Sequence, residues 1–318
     1  MVRRCSTAAV AAILTTAVLA FAAEPVYRPV IDGDWWLVAG DPNLGEYTRD
    51  NQQPVDFAVW QAADGSWQLW SCIRGTGCGG NTRLFYCWEG RKLTDSHWMP
   101  KGIAQQARTD LGETPGGQQA PHVVRHDGLY YMAYGDWVNI CFSTSRDGKT
   151  FERIVRSNGK TGVFSDGHGL NSRDPMLIRI DGLWHCYYTA HTAEHGYDFC
   201  RTAADPASNT WSHSCVVAYG GRGGNNRWSA ECPHVVELSH GHSYLFRTQR
   251  YGVNAQTSVY HSTNPLNFGI DDDTGLVATL PVAAPEIIFY ENRYYIACLM
   301  PSLKGIHIAP LKWQAKTD

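Results

Sequence analysis

The stretch Arg173-Asp-Pro-Met-Leu-Ile-Arg-Ile-Asp-Gly-Leu-Trp-His-Cys-Tyr-Tyr188 contains the pattern that decides the fold. Its apolar run, Asp174–Ile178, is followed by Asp181-Gly182 and then by the aromatic run Trp184–Tyr188. Asp-Gly between two apolar runs is a signal for a tight β-hairpin, because glycine adopts the positive φ that such turns require. The stretch therefore predicts two antiparallel strands joined by a short turn.

The same strand-turn-strand pattern occurs five times along the chain. The first strands are Asp56–Trp60, Ala120–Val124, Asp174–Ile178, Cys232–Val236 and Ala284–Ile288. The turns are Asp64-Gly65, Asp127-Gly128, Asp181-Gly182, His240-Gly241 and Glu291-Asn292. Aromatic second strands follow at Trp67–Trp70, Tyr130–Tyr134, Trp184–Tyr188, Tyr244–Phe246 and Tyr294–Ala297. Successive repeats are 52 to 64 residues apart, which suits four-stranded propeller blades, and no helical pattern intervenes. We therefore predict an all-β fold, a single five-bladed β-propeller.

The fifth repeat is one strand short. Its recognisable strands lie near residues 286–290, 294–299 and 305–313, whereas residues 34–39 (Asp-Trp-Trp-Leu-Val-Ala) form a spare apolar strand near the start of the domain. Closing the ring with this strand would remove exposed sheet edges. We predict that residues 34–39 supply the outer strand of blade five.

Residues 1–23 have the pattern of a secretory signal peptide. Arg3 and Arg4 precede a mostly apolar segment, and Ala20-Phe21-Ala22 fits the cleavage rule. The segment is too short to span a membrane. We expect a secreted or periplasmic protein without a membrane span, whose domain covers residues 24–318. The chain has 27 basic and 30 acidic residues and no basic run, which argues against nucleic acid as a partner.

Ten cysteines are present, and nine remain after Cys5 in the signal segment. In an exported protein some of them should pair, and the odd number leaves at least one free or paired outside the chain. Cys72 and Cys87 lie on neighbouring predicted strands, as do Cys186 and Cys200. Each pair is either a cross-strand disulfide or two small core residues. The histidines show no strong zinc spacing.

Three acidic residues converge when the repeats are aligned. One column contains Asp56, Ala120, Asp174, Cys232 and Ala284, and the column one residue earlier contains Val55, Gln119, Arg173, Glu231 and Ala283. The first strand of each propeller blade lines the central channel, so residues at these positions point into one funnel. Carboxylates are costly to bury without a role or a partner. We predict that Asp56, Asp174 and Glu231 are catalytic.

The motifs around two of these acids resemble those of a known group. Arg173-Asp174-Pro175 and Glu231-Cys232-Pro233 are similar to the RDP and EC signatures of the β-fructosidase glycosidases of glycosyl hydrolase family 32. The wider superfamily includes the family 43 arabinofuranosidases and xylosidases, and the resemblance implies the same five-bladed fold. It also implies a calcium ion in the central channel as a possibility, as in some family 43 relatives; no other cofactor is expected.

The resemblance implies a role for each acid. Asp56 would be the nucleophile or the general base, Asp174 would stabilise the transition state, and Glu231 would be the general acid. Glycoside cleavage requires one protonated and one ionised carboxyl group, which this set can supply. One motif departs from the family, because the fructosidases carry their first Asp in W-M-N-D-P-N-G. A similar segment here, Asp41-Pro42-Asn43-Leu44-Gly45, is out of register with the repeats, and we therefore favour Asp56.

Other candidate substrate ligands come from the strand and loop ends at the same mouth. Arginine and histidine can bind sugar hydroxyls, and tryptophan can stack on a sugar face. The predicted substrate-binding residues are Arg74, Gln119, Trp137, His168, Arg173, His191, Trp228 and Arg250.

The sequence thus predicts a secreted glycoside hydrolase that degrades a polysaccharide or oligosaccharide by exo-cleavage of a furanoside or related sugar. Two alternatives remain open. One is a non-catalytic, carbohydrate-binding propeller. The other is a glycoside phosphorylase or anhydro-sugar glycosidase on the same scaffold, and a phosphorylase would need a phosphate site for which Arg173, Arg247 and Arg250 are candidates. Retaining or inverting stereochemistry and the oligomeric state do not follow from the sequence.

Overall fold

The computed structural model describes residues 24–166, 171–208 and 210–316. The proposed signal segment, residues 1–23, lies outside this part of the chain. The strands in chain order are β1 (Tyr27–Ile31), β2 (Trp36–Gly40), β3 (Gln53–Gln61), β4 (Trp67–Arg74), β5 (Leu84–Gly90), β6 (Met99–Gln105), β7 (Gln119–His126), β8 (Leu129–Gly135), β9 (Ile140–Ser145), β10 (Glu152–Arg153), β11 (Gly162–Phe164), β12 (Arg173–Ile180), β13 (Leu183–His191), β14 (Gly196–Ala203), β15 (Cys215–Tyr219), β16 (Glu231–Ser239), β17 (His242–Arg250), β18 (Gln256–Ser262), β19 (Gly269–Ile270), β20 (Leu276–Leu280), β21 (Glu286–Tyr290), β22 (Arg293–Leu299) and β23 (Gly305–Ala315). Single 3₁₀ turns occur at Gly45–Tyr47, Thr109–Leu111, Gly221–Gly223 and Gly252–Asn254.

The strands form five small sheets, which are the blades of a five-bladed β-propeller. Blade one is β3-β4-β5-β6, blade two is β7-β8-β9-β10 with β11 also on β9, and blade three is β12-β13-β14-β15-β19. Blade four is β16-β17-β18-β20, and blade five is β21-β22-β23 with β1 and β2 both on β23. The first strands β3, β7, β12, β16 and β21 contact one another in a closed circle around the axis. The predicted all-β propeller is therefore confirmed.

Both N-terminal strands close the ring. β2 pairs with the first half of β23, from Trp36 opposite Ile308 to Gly40 opposite Gly305, and this confirms the closing strand predicted at residues 34–39. β1 pairs with the second half of β23, from Tyr27 opposite Ala315 onward, and the sequence analysis did not anticipate it. The long last strand is thus covered along most of its outer edge.

The hairpin turns explain why the repeats could be read from the sequence. In blades two and three the turn residues Asp127-Gly128 and Asp181-Gly182 all have positive φ, between 48° and 81°. The same holds for Glu291-Asn292, with φ of 48° and 61°. Positive φ at both central residues defines the type I′ turn, whose twist matches that of the flanking strands.

The hydrophobic core lies between adjacent blades. Trp184 and Tyr188 of β13 pack with Phe142 of blade two, and Phe246 of β17 packs with Ile296 of blade five. Complete burial of a side chain of this size contributes about 1.5–3 kcal/mol. The aromatic second strands therefore hold the blades together, while the first strands remain available to line the axis.

The nine cysteines of the described residues are all unpaired, which contradicts the expectation that some form disulfides. Cys72 lies opposite Phe85, two residues from Cys87, and diagonal neighbours of this kind are too far apart for a disulfide. Cys186 lies opposite Arg201, so its side chain and that of Cys200 leave the sheet on different faces. All four are buried, and the alternative interpretation as core residues therefore describes them.

Among the described residues, no helix has the length and apolar character that a membrane crossing requires.

Candidate active site

A backbone distortion recurs where each inner strand meets the funnel. The residues of the aligned column all have positive φ: Asp56 (39°), Ala120 (38°), Asp174 (54°), Cys232 (48°) and Ala284 (49°). In blades one to four the strand register shifts at this point, as it does in a β-bulge. A bulge bends its strand and redirects the neighbouring side chains. The fold therefore provides equivalent positions around the axis, and Asp56 and Asp174 occupy two of them.

A cavity of about 300 Å³ opens at this end of the axis. Residues from blades one to four contribute its walls. The lining residues are Asp56, Arg74, Arg83, Gln119, Trp137, Asn171, Arg173, Arg227, Trp228, Glu231 and Tyr251.

Glu231 is held by Arg173. The arginine Nη2 and Nε both donate hydrogen bonds to the Glu231 carboxylate, the second at 3.4 Å to Oε2. Nε also lies 3.6 Å from Oδ2 of Asp174, and the backbone carbonyl of Asn171 accepts from Nη1 at 3.1 Å. Both Arg173 and Glu231 are buried. The two-point ion pair fixes the orientation of the Glu231 carboxylate.

Asp174 is buried beneath this pair. Its Oδ2 accepts a hydrogen bond of 3.2 Å from the backbone N–H of Cys232. Burial, followed by the negative charges of Asp56 and Glu231, raises the pKa of Asp174 from 3.8 to about 8, although Arg173 opposes the shift. The folded protein therefore favours the protonated form of the Asp174 carboxyl group.

Asp56 faces two hydrogen-bond donors. The thiol of Cys232 lies 3.3 Å from its Oδ1, and the hydroxyl of Tyr251 donates to the same atom at 3.4 Å. Burial raises the pKa of both the Cys232 thiol and the Tyr251 hydroxyl well above their ordinary values, so both groups keep their protons. Asp56 is thus arranged to accept protons rather than to donate one.

The rival segment around Asp41 is arranged differently. Its Oδ2 pairs with Nζ of Lys304 at 2.8 Å, and its Oδ1 accepts from Nε2 of Gln52 at 2.9 Å. Asp41 does not contribute to the cavity wall, whereas Asp56 does. The geometry thus favours Asp56 as the first acid.

The predicted substrate ligands separate into two groups. Arg74, Gln119, Trp137, Arg173 and Trp228 line the cavity. Oε1 of Gln119 is buried and has no hydrogen-bond partner among the described residues, so it is available to a ligand hydroxyl. Trp228 is 54% exposed, which suits a platform for a sugar ring.

The other three predicted ligands are placed elsewhere. His191 is buried behind Trp228, with ring centroids 5.3 Å apart, and supports that ring from outside the cavity. Arg250 is the last residue of β17, and its side chain is exposed. Its guanidinium group donates a hydrogen bond to Oε1 of Gln256 on the neighbouring strand. These two residues do not line the cavity. His168 lies outside the described residues.

Four lining residues are not in the predicted substrate-binding set: Arg83, Asn171, Arg227 and Tyr251. The aligned repeats place Tyr251 and the pair Arg227-Trp228 at the mouth, and Asn171 lies two residues before Arg173 of the RDP motif. Arg83 gave no signal, because it lies in the loop between β4 and β5, which the repeat pattern does not constrain.

A second group of polar residues lies below the carboxyl groups. A chamber of about 30 Å³, the size of one water molecule, is lined by His122, His234 and Glu286 together with Asp56 and Asp174. The ligand atoms of His122, His234 and Glu286 lie within 4.8 Å of one another. Burial raises the pKa of Glu286 well above its ordinary value and lowers those of His122 and His234 to about 3 and 4.

This group does not fit a calcium ion. Calcium binds six to eight oxygen atoms, whereas two of these three residues offer nitrogen. Nδ1 of His122 accepts from the backbone N–H of Leu177, and Nε2 of His234 accepts from that of Ile287, each at 3.2 Å. A neutral imidazole has one donor and one acceptor nitrogen, so the remaining nitrogen of each ring carries a proton. The rings therefore offer N–H groups rather than lone pairs.

The sequence matches no protein-family model and no curated protein. The structure is similar to that of a thermostable family 43 glycoside hydrolase, with a TM-score of 0.61 and 15% identity over 84% of this chain and 95% of the other. An endo-arabinase from Bacteroides thetaiotaomicron gives a TM-score of 0.61 and 14% identity over 81% and 94%. The GH32 β-fructofuranosidase of Bombyx mori gives 0.60 and 15% over 90% of this chain and 62% of the other. The predicted likeness to this group is thus confirmed for the fold, the five-bladed propeller of family 43 and family 32 glycoside hydrolases.

Proposed function

We propose that the chain is a glycoside hydrolase that acts through Asp56, Asp174 and Glu231. The observation that carries the proposal is the convergence of three carboxyl groups at one end of the propeller axis, each with different partners. Glu231 is held by Arg173, Asp174 is buried and accepts from the backbone N–H of Cys232, and Asp56 accepts from the Cys232 thiol and the Tyr251 hydroxyl. Hydrolysis of a glycosidic bond requires two carboxyl groups in different environments, one to donate a proton and one to accept a proton or attack the sugar. The similar structures, which are glycoside hydrolases, support the same class of reaction.

In this mechanism Asp56 attacks the anomeric carbon or activates a water molecule. Once its ion pair with Arg173 loosens, Glu231 takes up a proton from solvent and delivers it to the departing oxygen. Asp174, buried beneath the cavity, adjusts the proton affinity of its neighbours. Arg173 contacts both Asp174 and Glu231, so it couples the charges of these two groups. For Glu231 to act as the acid, its ion pair with Arg173 has to loosen as substrate enters. The proposal therefore assigns Arg173 a positioning role as well as a binding one.

The size of the cavity supports cleavage at the end of a chain. About 300 Å³ is at the lower limit of ordinary ligand sites and suits a terminal sugar better than a long segment. We infer that the substrate is an oligosaccharide or polysaccharide from which one end residue is removed.

A phosphorylase based on the arginines named for it is less well supported. Arg247 is buried, and its Nε lies 3.0 Å from Oδ2 of Asp198. Arg250 lies outside the cavity, and Arg173 is engaged with Glu231. None of these three guanidinium groups is free to receive phosphate.

We also propose export from the cytoplasm, on the pattern of residues 1–23. Expression of the full chain in a bacterial host, followed by mass determination of protein from the periplasm or medium, tests this proposal. A product that begins near Glu24 is expected. An uncleaved chain in the cytoplasm would contradict it.

The activity is tested with a panel of aryl glycosides and oligosaccharides, including furanosides and pyranosides. Glu231→Gln and Asp56→Asn should lower kcat at least 100-fold while ligand binding persists. Asp41→Asn is the matched control, because it removes an acid of the rival motif and should retain full activity. Loss of activity in Asp41→Asn with normal activity in Asp56→Asn would overturn the assignment. Ligand binding without turnover by the wild-type protein would favour the non-catalytic propeller.

A further inference from the structure

We propose that the sugar bound in this cavity carries an anionic group, a carboxylate or a sulfate ester. The proposal deepens the proposed function and rests on it for the reaction, but it concerns binding and can be tested separately. Its basis is a set of three cavity arginines, Arg74, Arg83 and Arg227, that lack an acidic partner among the described residues.

Each of the three guanidinium groups is held by a neutral neighbour. Arg74, at the end of β4, donates from Nε and Nη2 to Oε1 of Gln53 at 2.9 and 2.8 Å. The guanidinium carbon of Arg83 lies 4.9 Å from the ring centre of Trp137. That of Arg227 lies 4.6 Å from the ring centre of Trp228. These contacts orient the three groups without neutralising them.

The charges that line the cavity do not balance. The ion pair with Arg173 neutralises Glu231, and Asp174 lies beneath the cavity rather than in its wall. Asp56 is then the one remaining acidic residue of the described lining, opposite three guanidinium groups. Residues 167–170 (Gly-His-Gly-Leu), which precede Asn171 and are not described, include no acidic residue that could supply a partner.

The surroundings of His191 are consistent with a positive potential at this mouth. It lies behind Trp228 and is in contact with its ring. Burial, and then the charges of Arg173 and Arg227, lower the pKa of His191 to about 4. The protein as a whole has a formal net charge of −3, so the positive potential is local to the cavity.

The geometry of the arginines suits an anionic sugar. A guanidinium group binds carboxylate or sulfate through two parallel N–H donors, and stacking on an aromatic ring leaves its N–H edge free for such a bond. Trp137 and Trp228 lie next to Arg83 and Arg227, so a sugar ring could stack on an indole while its substituent meets the neighbouring arginine. A neutral sugar would leave the three cations without a counter-charge.

Matched pairs of ligands test the proposal. Binding of glucuronate against glucose, galacturonate against galactose, and galactose 6-sulfate against galactose is measured by titration calorimetry. Turnover is measured on uronic acid-containing and sulfated oligosaccharides and on their carboxyl-reduced or desulfated counterparts. We expect the wild-type protein to prefer the anionic member of at least one pair by tenfold or more, and the carboxylate and sulfate arms show which group is recognised.

The variants are Arg83→Gln and Arg227→Gln, which remove charge while keeping a hydrogen-bonding side chain. Each should weaken binding of the preferred anionic ligand about tenfold more than it weakens binding of the neutral counterpart, and Arg83→Lys should restore part of the loss. Arg179→Gln is the matched control, because Arg179 is an exposed arginine at the far end of β12 and should behave as wild type. Circular dichroism and thermal unfolding verify that each variant is folded.

The outcomes separate this proposal from the proposed function. Selective anion binding that the variants lose, without turnover of any substrate, would support the anionic ligand and count against hydrolysis. Turnover of neutral substrates that neither glutamine variant changes would overturn the anionic ligand and leave hydrolysis intact. Activity that requires inorganic phosphate and releases a sugar phosphate would also overturn it, because the arginines would then serve the phosphate. Equal binding of both members of every pair would overturn it as well.

Discussion

Replacing Asp174 by asparagine removes an ionisable group from the buried centre of the site. Asparagine has nearly the same shape and tolerates the positive φ of 54° at this position. The variant should therefore fold normally. It should lose most of the activity, because Asp174 contacts the cluster of reacting carboxyl groups, and its stability should depend on pH in a way that reveals the charge state of Asp174.

The magnitude follows from the raised pKa. The pKa of Asp174 rises from 3.8 to about 8, mainly through burial, so the folded state retains a proton that the unfolded chain releases between these values. Stability from this group is therefore complete below about pH 4 and is lost as the pH rises to about 8. Each pKa unit corresponds to about 1.4 kcal/mol, which gives an upper limit of roughly 6 kcal/mol. Water and neighbouring charges rearrange when a buried carboxyl group ionises, so we expect a smaller effect of about 2 kcal/mol.

Thermal unfolding of wild type and Asp174→Asn at several pH values between 4 and 9 measures this effect. A domain of this size has an unfolding entropy near 0.6 kcal/mol/K, so ~2 kcal/mol corresponds to about 3 °C in Tm. The Tm of the variant minus the Tm of wild type should increase by about 3 °C from pH 4 to pH 9. Asp271→Asn, in an exposed bend that also has positive φ, is the control and should show no such trend. Parallel Tm curves for wild type and Asp174→Asn would refute the reasoning.

Three further predictions concern the surroundings of the site. Cys232→Ala leaves Asp56 with one hydrogen-bond donor and should lower kcat about tenfold at unchanged Tm. Cys232→Ser keeps a donor at this position and should retain most of the activity. Equal rates in the two variants would exclude a role for the thiol donor. Arg247→Met should lower the free energy of unfolding by about 3–5 kcal/mol, because it leaves the buried Asp198 side chain without its ion-pair partner. Urea titration of wild type and variant measures this loss. Treatment with EDTA should change neither activity nor Tm, because the chamber rings present N–H groups; a loss that calcium reverses would contradict this interpretation.

The repeats could be predicted from the sequence because each hairpin is encoded locally. Asp181-Gly182 specifies a turn, and the apolar run before it and the aromatic run after it specify two strands. Register then follows from aligning the turns. This is why the column of Asp56 and Asp174 matches the residues of positive φ at the strand heads.

The loops could not be predicted in the same way. Arg83 enters the cavity from a connection whose path no periodic pattern describes, whereas Arg250 leaves it although register placed it at the mouth. The disulfide expectation failed for a related reason, since the pairing of Cys186 with Arg201 depends on a one-residue register that the sequence does not display. β1 was missed because Tyr27–Ile31 contains Arg28 and Pro29 and lacks the apolar run that marks β2, although both strands pair with β23.

The strained backbone at the strand heads is a property of the propeller rather than of the chemistry. Left-handed φ costs non-glycine residues about 1–2 kcal/mol each, yet Ala120 and Ala284 adopt it as Asp56 and Asp174 do. An alanine side chain has no catalytic use there, so the strain arises from bending each inner strand into the funnel. The fold therefore supplies the equivalent inward positions, and the residue placed at each one decides the function. In this sequence the functional residues occupy these positions in three blades: Asp56 in blade one, Asp174 in blade three, and the motif around Cys232 in blade four.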